Sequence, residues 1–579
     1  METLSICDSF TEEQAEFLWE GADAHILLNE LTTQTLCLNY DRAQGLYSLS
    51  PTFAAYFKKQ NSQATQQEMN AKLNRLAQWY LKTDENTLAR RLYHRIKNYG
   101  ALMDAVEKRL FQIPYGRDEQ EFILYYTDCP PEIRAKHPKA ILTFARQMFG
   151  LGHDQMGREV CAEFEQTMKL SVDMDEESRR QLEGTYELLL CYAHYNNLGK
   201  MLHHIKRASE LLNQQRPSAG WLDGEFNDSI SLLHMYHRSP GRLQAEVELF
   251  CEYIQIYSQL TGGKLGGSEF VMRAEALFAT GDVQGAEIML HKATLSVNKS
   301  NQWNIWLCAT MLKMRIALMQ GNWPVIEHLL NETVEISGSR NKVRIIPAID
   351  YLKNFLYSKL VQPALIPLAF NNVRRENVPS HFRAASTLYY FYAEAMLARG
   401  EALRLIAFSE EYLSVVRAHP SVYAELVLHI QLTGAYELLG QWDKAKEHLK
   451  TALQMAIPDS LFIPFVEMSR HIRETLVRLD DAQLLSQINN IQHKSKEYTL
   501  GIKKIVAEHF SHQGYGLTNR EAQIAKMAAM RLSNKEIAER LVISESTVKT
   551  QLARAFAKLG VNKRKDLELL FPAGRASEK

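Results

Sequence analysis

The 579-residue chain has no run of eighteen apolar residues, and Met1 to Phe10 carries acidic side chains where a secretory leader would need an apolar stretch. Secretion and membrane spanning are therefore not expected. Seven cysteines, Cys7, Cys37, Cys129, Cys161, Cys191, Cys251 and Cys308, are odd in number, scattered and without a C-x-x-C pair. That argues against a disulfide framework and predicts reduced, buried thiols in a cytoplasmic protein. Net charge is also missing, with 67 Lys and Arg against 67 Asp and Glu, so any signal for a polyanionic partner must be local. No nucleophile, base and orienting group share a legible pattern, and His203, His204, His493 and His512 lack partners at metal-ligand spacing. No catalytic residue, cofactor or metal is assigned, and the chain is not expected to be an enzyme. Low-complexity tracts are absent too; 46% hydrophobic and 23% charged residues describe a folded chain, too long for one core.

Apolar residues recur at helical spacing through nearly all of residues 62 to 510, which predicts an all-α body. Within it, Gly241, Gly281, Gly321, Gly400 and Gly440 each precede a polar residue and usually follow an apolar run. All gaps are 40 residues except 321 to 400, which is close to two periods, so a repeat near Val361 is expected to have lost its glycine. Gly199 sits about where an earlier one belongs. Each glycine suits a helix C-terminus needing positive φ, and a small residue five positions on, Ala286 or Ala445, lets the next helix approach. The pattern resembles tetratricopeptide repeats, although those recur at 34 residues, and it predicts a helical-repeat superhelix over residues 62–491 with an extended binding face. The aromatics Tyr389 to Tyr392 and Trp221, Trp303, Trp306 and Trp323 are expected between helices; lining an effector pocket is the alternative.

Residues 1–60 read differently. Helical patterns at Thr11 to Leu18 and Asp23 to Thr33 precede two short strand patterns, Leu36 to Tyr40 and Leu46 to Leu49, around the turn Asp41 to Gly45, and a last helix, Pro51 to Lys59. This is a winged-helix-like unit without a basic recognition helix, so packing rather than DNA contact is its expected role. Residues 492–516, polar at both ends and closing on Gly514 and Gly516, read as a linker.

From Leu517 the composition changes. Thr518 with Glu521 and Ser533 with Glu536 are S/T-x-x-E capping boxes, and Ser544 is an N-cap followed by Glu545, so three short helices are expected. On the third, Val548, Leu552, Ala555 and Leu559 share one face, to pack against Ile524, Met527, Ile537, Ala538 and Leu541. Ser546, Thr550, Ala553 and Arg554 then point outward, flanked by Thr547 and Lys549. This small, polar, cationic face suits a major groove: Lys549 and Arg554 can donate to guanine or phosphate, and Thr550 can meet a thymine methyl. Between Leu517 and Lys565 stand eleven Lys or Arg against four Glu, the local excess that phosphate binding needs. The expected contacts to double-stranded promoter DNA are Asn534, Lys535, Ser544, Ser546, Thr547, Lys549, Thr550, Gln551, Arg554, Lys563 and Arg564.

Leu517-Thr518-x-Arg520-Glu521, Leu532-Ser533-Asn534-Lys535-Glu536-Ile537-Ala538 and Ile543-Ser544-Glu545-x-Thr547-Val548-Lys549-Thr550 resemble the LuxR-type DNA-binding domain. The resemblance implies a four-helix domain over 517–571 with its helix-turn-helix at about 534–553. The third helix would read bases, and the last, around Asp566 to Leu570, would be available for dimer contact. Three positions depart from the family: Arg531 replaces its usual glycine, Gln551 its usual histidine, and Ala553 a frequent Arg or Lys. The body, with its repeats and Ser50-Pro51-Thr52-Phe53-Ala54-Ala55-Tyr56-Phe57, is similar to MalT-type LuxR regulators, which also carry an ATP-binding module. No G-x-x-x-x-G-K-[ST] exists here; Ser258 to Leu265 lacks the first glycine and the hydroxyl, so ATP switching is not carried over. The chain begins where that module would end, which fits either a shortened regulator or a piece of a split or mis-started gene.

Two functions follow. In the first, the protein is a cytoplasmic, nucleoid-associated transcription regulator, a homodimer on promoter DNA, with RNA polymerase as a further partner and a small-molecule or protein effector on the repeats. In the second, it is an interaction scaffold whose helix-turn-helix serves only dimerisation or docking.

Overall fold

The computed structural model describes residues 2–19, 23–35, 37–108, 117–171, 173–213, 229–297, 302–337, 347–371, 385–510, 517, 519–561 and 563–567. Among these the chain is almost entirely helical, with one two-stranded sheet. None of the described helices is long and apolar enough to cross a membrane. The described cysteines are all free thiols. The chain divides into two compact units, the first essentially residues 1–189 and the second 190–579.

In the first unit, Thr11 caps helix Glu12–Leu18 by accepting from the Gln14 N–H at 3.1 Å, and Asp23 caps helix Ala24–Thr33. Strands β1 (Leu38–Asp41) and β2 (Leu46–Leu49) pair antiparallel, Leu38 opposite Leu49, and helix Pro51–Gln63 follows. These are the elements the sequence predicts. Leu4, Phe10, Leu18, Leu28 and Leu38 share their core with Leu76, which stands on the next helix, Gln66–Lys82. An end at residue 60 would thus cut through a single core, and the compact unit runs on to residue 189. A unit of sixty residues is marginal in the apolar surface it can bury, and Leu76 from the next helix completes this core.

In the second unit, helices pair as hairpins: Ser268–Thr280 with Val283–Ser296, Trp303–Gln320 with Trp323–Ser337, Ala385–Ala398 with Ala402–Ala418, and Val422–Leu438 with Trp442–Ala456. The first helix of each ends on a left-handed residue, and the following N–H bonds back to an earlier carbonyl: Asp282 to Leu277, 2.8 Å, Asn322 to Ala317, 2.9 Å, Glu401 to Met396, 2.9 Å, and Gln441 to Tyr436, 2.9 Å. The missing glycine is accounted for. Val361 takes the same left-handed turn at φ +54°, with Gln362 bonded to the Tyr357 carbonyl at 2.8 Å. The earlier position is corrected: the left-handed residue there is Asn196, φ +63°, and Gly199 lies in the first turn of helix Leu198–Leu211. Asparagine enters this conformation more readily than most residues, and here its side-chain amide donates to the distant Pro420 carbonyl.

Tyr389, Tyr390, Phe391 and Tyr392 are buried between helices; Trp303 and Trp306 are buried and stacked at 4.8 Å. Trp323 stacks on His509 at 4.6 Å, and Trp221 lies outside the described residues. The linker reading is also corrected. Residues 492–509 belong to helix Leu485–His509, whose Ile488, Ile491, Tyr498, Gly501 and Ile505 form one buried stripe; 511–516 lie outside the described residues. Polar residues outnumber apolar ones there, but the apolar ones keep the helical period. At Gly501 the helix meets helix Trp303–Gln320 so closely that an added Cβ would come within 2.8 Å of the Leu318 carbonyl oxygen.

Candidate nucleic-acid interface

Three helices build the C-terminal site: Asn519–Ala529, Asn534–Leu541 and Glu545–Leu559. Ser533 and Glu536 form a reciprocal capping box: the Ser533 N–H donates to Glu536 Oε2 at 2.6 Å, and the Glu536 N–H to Ser533 Oγ at 3.3 Å. Bonds from the Ser533 N–H first, and then from its hydroxyl, hold the Glu536 carboxyl below the usual carboxylate range. Val542 at φ +52° then reverses the chain, and Ser544 caps the third helix by accepting from the Thr547 N–H at 3.1 Å. Thr518 lies outside the described residues, so its box with Glu521 does too.

The core faces fall as the helical period predicts. Val548, Leu552, Ala555 and Leu559 are buried against Ile524, Ala525, Ala528, Ile537 and Ala538, with Met527 and Leu541 at the margin. Leu567 closes the cluster; the rest of the expected fourth helix, from 568 on, is outside the described residues. Pinning one face of Glu545–Leu559 into this core turns the other to solvent. Ser546, Thr547, Lys549, Thr550, Ala553 and Arg554 are all exposed. The hydroxyls are already partly engaged: Ser544 Oγ lies 2.7 Å from Ser546 Oγ and 2.8 Å from Thr547 Oγ1, and Thr550 donates to the Ser546 carbonyl at 3.0 Å. Lys535, Lys549 and Arg554 are exposed and enter no ion pair among the described residues.

The other expected contacts divide. Lys563 is exposed and Gln551 half-buried at the edge of the face. Asn534 and Arg564 are half-buried and meet each other: Arg564 Nη1 donates to Asn534 Oδ1 at 2.8 Å, Nη2 to the Leu532 carbonyl and Nε to the Ala528 carbonyl at 3.4 Å. This guanidinium ties the end of the first helix, the entry to the second and the chain after the third. Burial lowers its pKa from the usual arginine value.

Two cations counted toward the basic excess also serve the fold. Lys558 donates to Glu521 Oε2 at 2.6 Å, with the glutamate side chain only 3% exposed. Arg520 donates to the Leu541 carbonyl at 2.6 Å, satisfying the C-terminus of the second helix. The spacing from 521 to 558 gives no sign of the first pairing. A signal does exist at Arg531: its φ of +65° explains why the resembling family uses glycine there. What the arrangement offers is a helix with an exposed polar and cationic strip, in a domain that also exposes Lys535 and Lys563, and a major groove admits an α-helix.

Residues 516–571 match the family model described as bacterial regulatory proteins, luxR family. The chain is also similar to a nitrate/nitrite response regulator protein homolog of Haemophilus influenzae, 37% identical over 90 residues, which are 15% of this chain and 43% of the relative. It therefore spans less than half of that relative's length. With Ser533 and Ser544 capping two of three helices that follow in the order the motif implies, the C-terminal segment, residues 516–571, is the part of the chain that matches the luxR family of bacterial regulatory proteins.

Proposed function

We propose that this chain is a sequence-specific transcription regulator. Helix Glu545–Leu559 lies in the major groove of promoter DNA, with Lys549 and Arg554 as the principal base or phosphate contacts and Ser546, Thr547 and Thr550 between them. The observation that carries this reading is the two-sidedness of that helix. One face is locked into the domain core, and the other is exposed, cationic and built of side chains small enough for close approach. Lys535 and Lys563 supply phosphate contacts, whereas Asn534 and Arg564 position the helix rather than touch DNA. The protein acts in the cytoplasm as a dimer on DNA, has no catalytic role, and takes its signal from an effector bound to the helical array. The Haemophilus influenzae relative's name, that of a response regulator homolog, agrees with this role.

An electrophoretic mobility assay with the full chain and fragments of its own upstream regions tests the reading. A specific retarded band is expected, and Lys549→Ala and Arg554→Ala should each weaken it by about 1 to 3 kcal/mol where the side chain meets a base. No retardation by a folded chain, or equal binding by parent and variants, would overturn the assignment.

A further inference from the structure

Residues 229–237, Ser-Ile-Ser-Leu-Leu-His-Met-Tyr-His, are buried along their whole length, yet only Leu233–Tyr236 forms a helical turn. An amphipathic helix explains burial of one face; it does not explain nine consecutive buried residues. The walls come from the next helix along the chain and from four helices further away in sequence. Ser229 Oγ lies 2.8 Å from Thr387 Oγ1, and the Cys308 thiol donates to the Ser229 carbonyl at 3.4 Å. Ser231 Oγ and the Leu233 N–H both donate to Glu275 Oε2, at 2.9 and 2.8 Å. The Val422 N–H donates to the His237 carbonyl at 2.8 Å, and the His237 ring lies 2.8 Å from Glu246 Oε2. Five helices of the array, Leu243–Thr261, Ser268–Thr280, Trp303–Gln320, Ala385–Ala398 and Val422–Leu438, thus surround one short strap.

This is the way a groove holds a peptide: backbone and hydroxyl groups bonded to the wall, apolar side chains between them. One position fits badly. His234 rests against the rings of Tyr390 and Tyr423, 5.2 and 4.8 Å away, and neither of its ring nitrogens has a hydrogen-bond partner among the described residues. Burial drives its pKa down to about 3, so it sits there neutral. A cavity of about 30 Å³ opens beside it, lined by Met311, Phe355, Tyr390 and Met468 among others, room for about two waters.

We propose that the interior of this array is a peptide-binding groove, that residues 229–237 are its built-in occupant, and that a partner protein segment alternating hydroxyl and apolar side chains displaces them. The proposal deepens the reading of the array as the effector-binding part, and its test makes no use of DNA, so either can fail alone. A fluorescein-labelled synthetic peptide of sequence SISLLHMYH is titrated into the full chain and followed by anisotropy. Ser231→Ala weakens the built-in strap while leaving every wall group in place. That variant should bind the peptide at least tenfold more tightly than the parent, and adding Glu275→Ala should reverse the gain. Should Ser231→Ala fail to fold by circular dichroism, Ser229→Ala with Thr387→Ala as the wall change is read in the same way. Folded variants that bind no more tightly than the parent, or a gain indifferent to the wall substitution, would overturn the groove.

Discussion

Lys558 and Glu521 offer the sharpest energetic test of the C-terminal domain. The two charges lie 2.6 Å apart, with Glu521 3% and Lys558 38% exposed. At an effective dielectric of about 20 the gross attraction is about 6 kcal/mol, most of it offset by the desolvation of the carboxylate. The consequence is an asymmetry. Lys558→Ala leaves a buried carboxylate without its ammonium, and because the lysine is partly hydrated the cost is set below the fully buried range, at about 2 to 3 kcal/mol. Glu521→Gln leaves a lysine that can turn to water and an amide that can still accept, at a cost of about 1 kcal/mol. Hydrogen exchange in the full chain reads this locally, which avoids treating a multidomain chain as two-state. Amides of residues 545–559 should exchange roughly 30 to 150 times faster in Lys558→Ala, and adding Glu521→Gln should recover much of that stability. Lys558→Ala exchanging no faster than Glu521→Gln would refute the argument, because the buried carboxylate would then not be what makes the pair matter.

Arg531→Gly should stabilise the same domain by about 0.5 to 1 kcal/mol, since glycine removes the left-handed strain at φ +65°; slower exchange of helix 534–541 would show it. Gly501→Ala should destabilise the array by about 1 to 3 kcal/mol, read as a lower melting temperature, because its Cβ meets the backbone of Leu318, Met319 and Gly321 rather than a side chain that could move. Acid should weaken the second unit. Burial lowers His234 and His471 to about 3 and His429 to about 4, so below about 6.5 the unfolded chain takes up protons these rings refuse, and each contributes about 1.4 kcal/mol of lost stability per pH unit. Glu275, raised to about 6 by burial, works the other way: its contribution is present below the ordinary carboxyl pKa and lost as pH rises through 6, offsetting one histidine between about pH 4.5 and 6. Denaturation midpoints at pH 4.5, 5 and 6 should therefore fall with acid less steeply in His234→Phe than in the parent, and equal slopes would contradict the assignment.

The sequence is most legible where local chemistry and helical period agree. The serines at 533 and 544 mark helix starts because a hydroxyl at that position satisfies an orphan N–H, and the 4-3-4 spacing from Val548 to Leu559 marks the core face. The repeat at Val361 is legible from its neighbours, since a missing glycine does not change the period. Legibility fails where the deciding contact is distant. Arg564 reads as a DNA contact by composition, and nothing local shows that it also clasps residues 528, 532 and 534, which come around to meet it. Residues 492–509 read as linker because their buried stripe is narrow. The strap at 229–237 alternates over only its first four residues and has no helical period, so nothing local announces that five helices enclose it.

The central claim is that the exposed strip of helix Glu545–Leu559 reads DNA, and genome-wide occupancy of the tagged full chain in its own cells tests it most directly, beside Lys549→Ala and Arg564→Ala. Discrete peaks are predicted for the parent. Lys549→Ala should lose them at unchanged protein level and melting temperature, while Arg564→Ala should lose them only together with stability of the domain. No enrichment by the folded parent, or peaks that survive Lys549→Ala undiminished, would contradict the account.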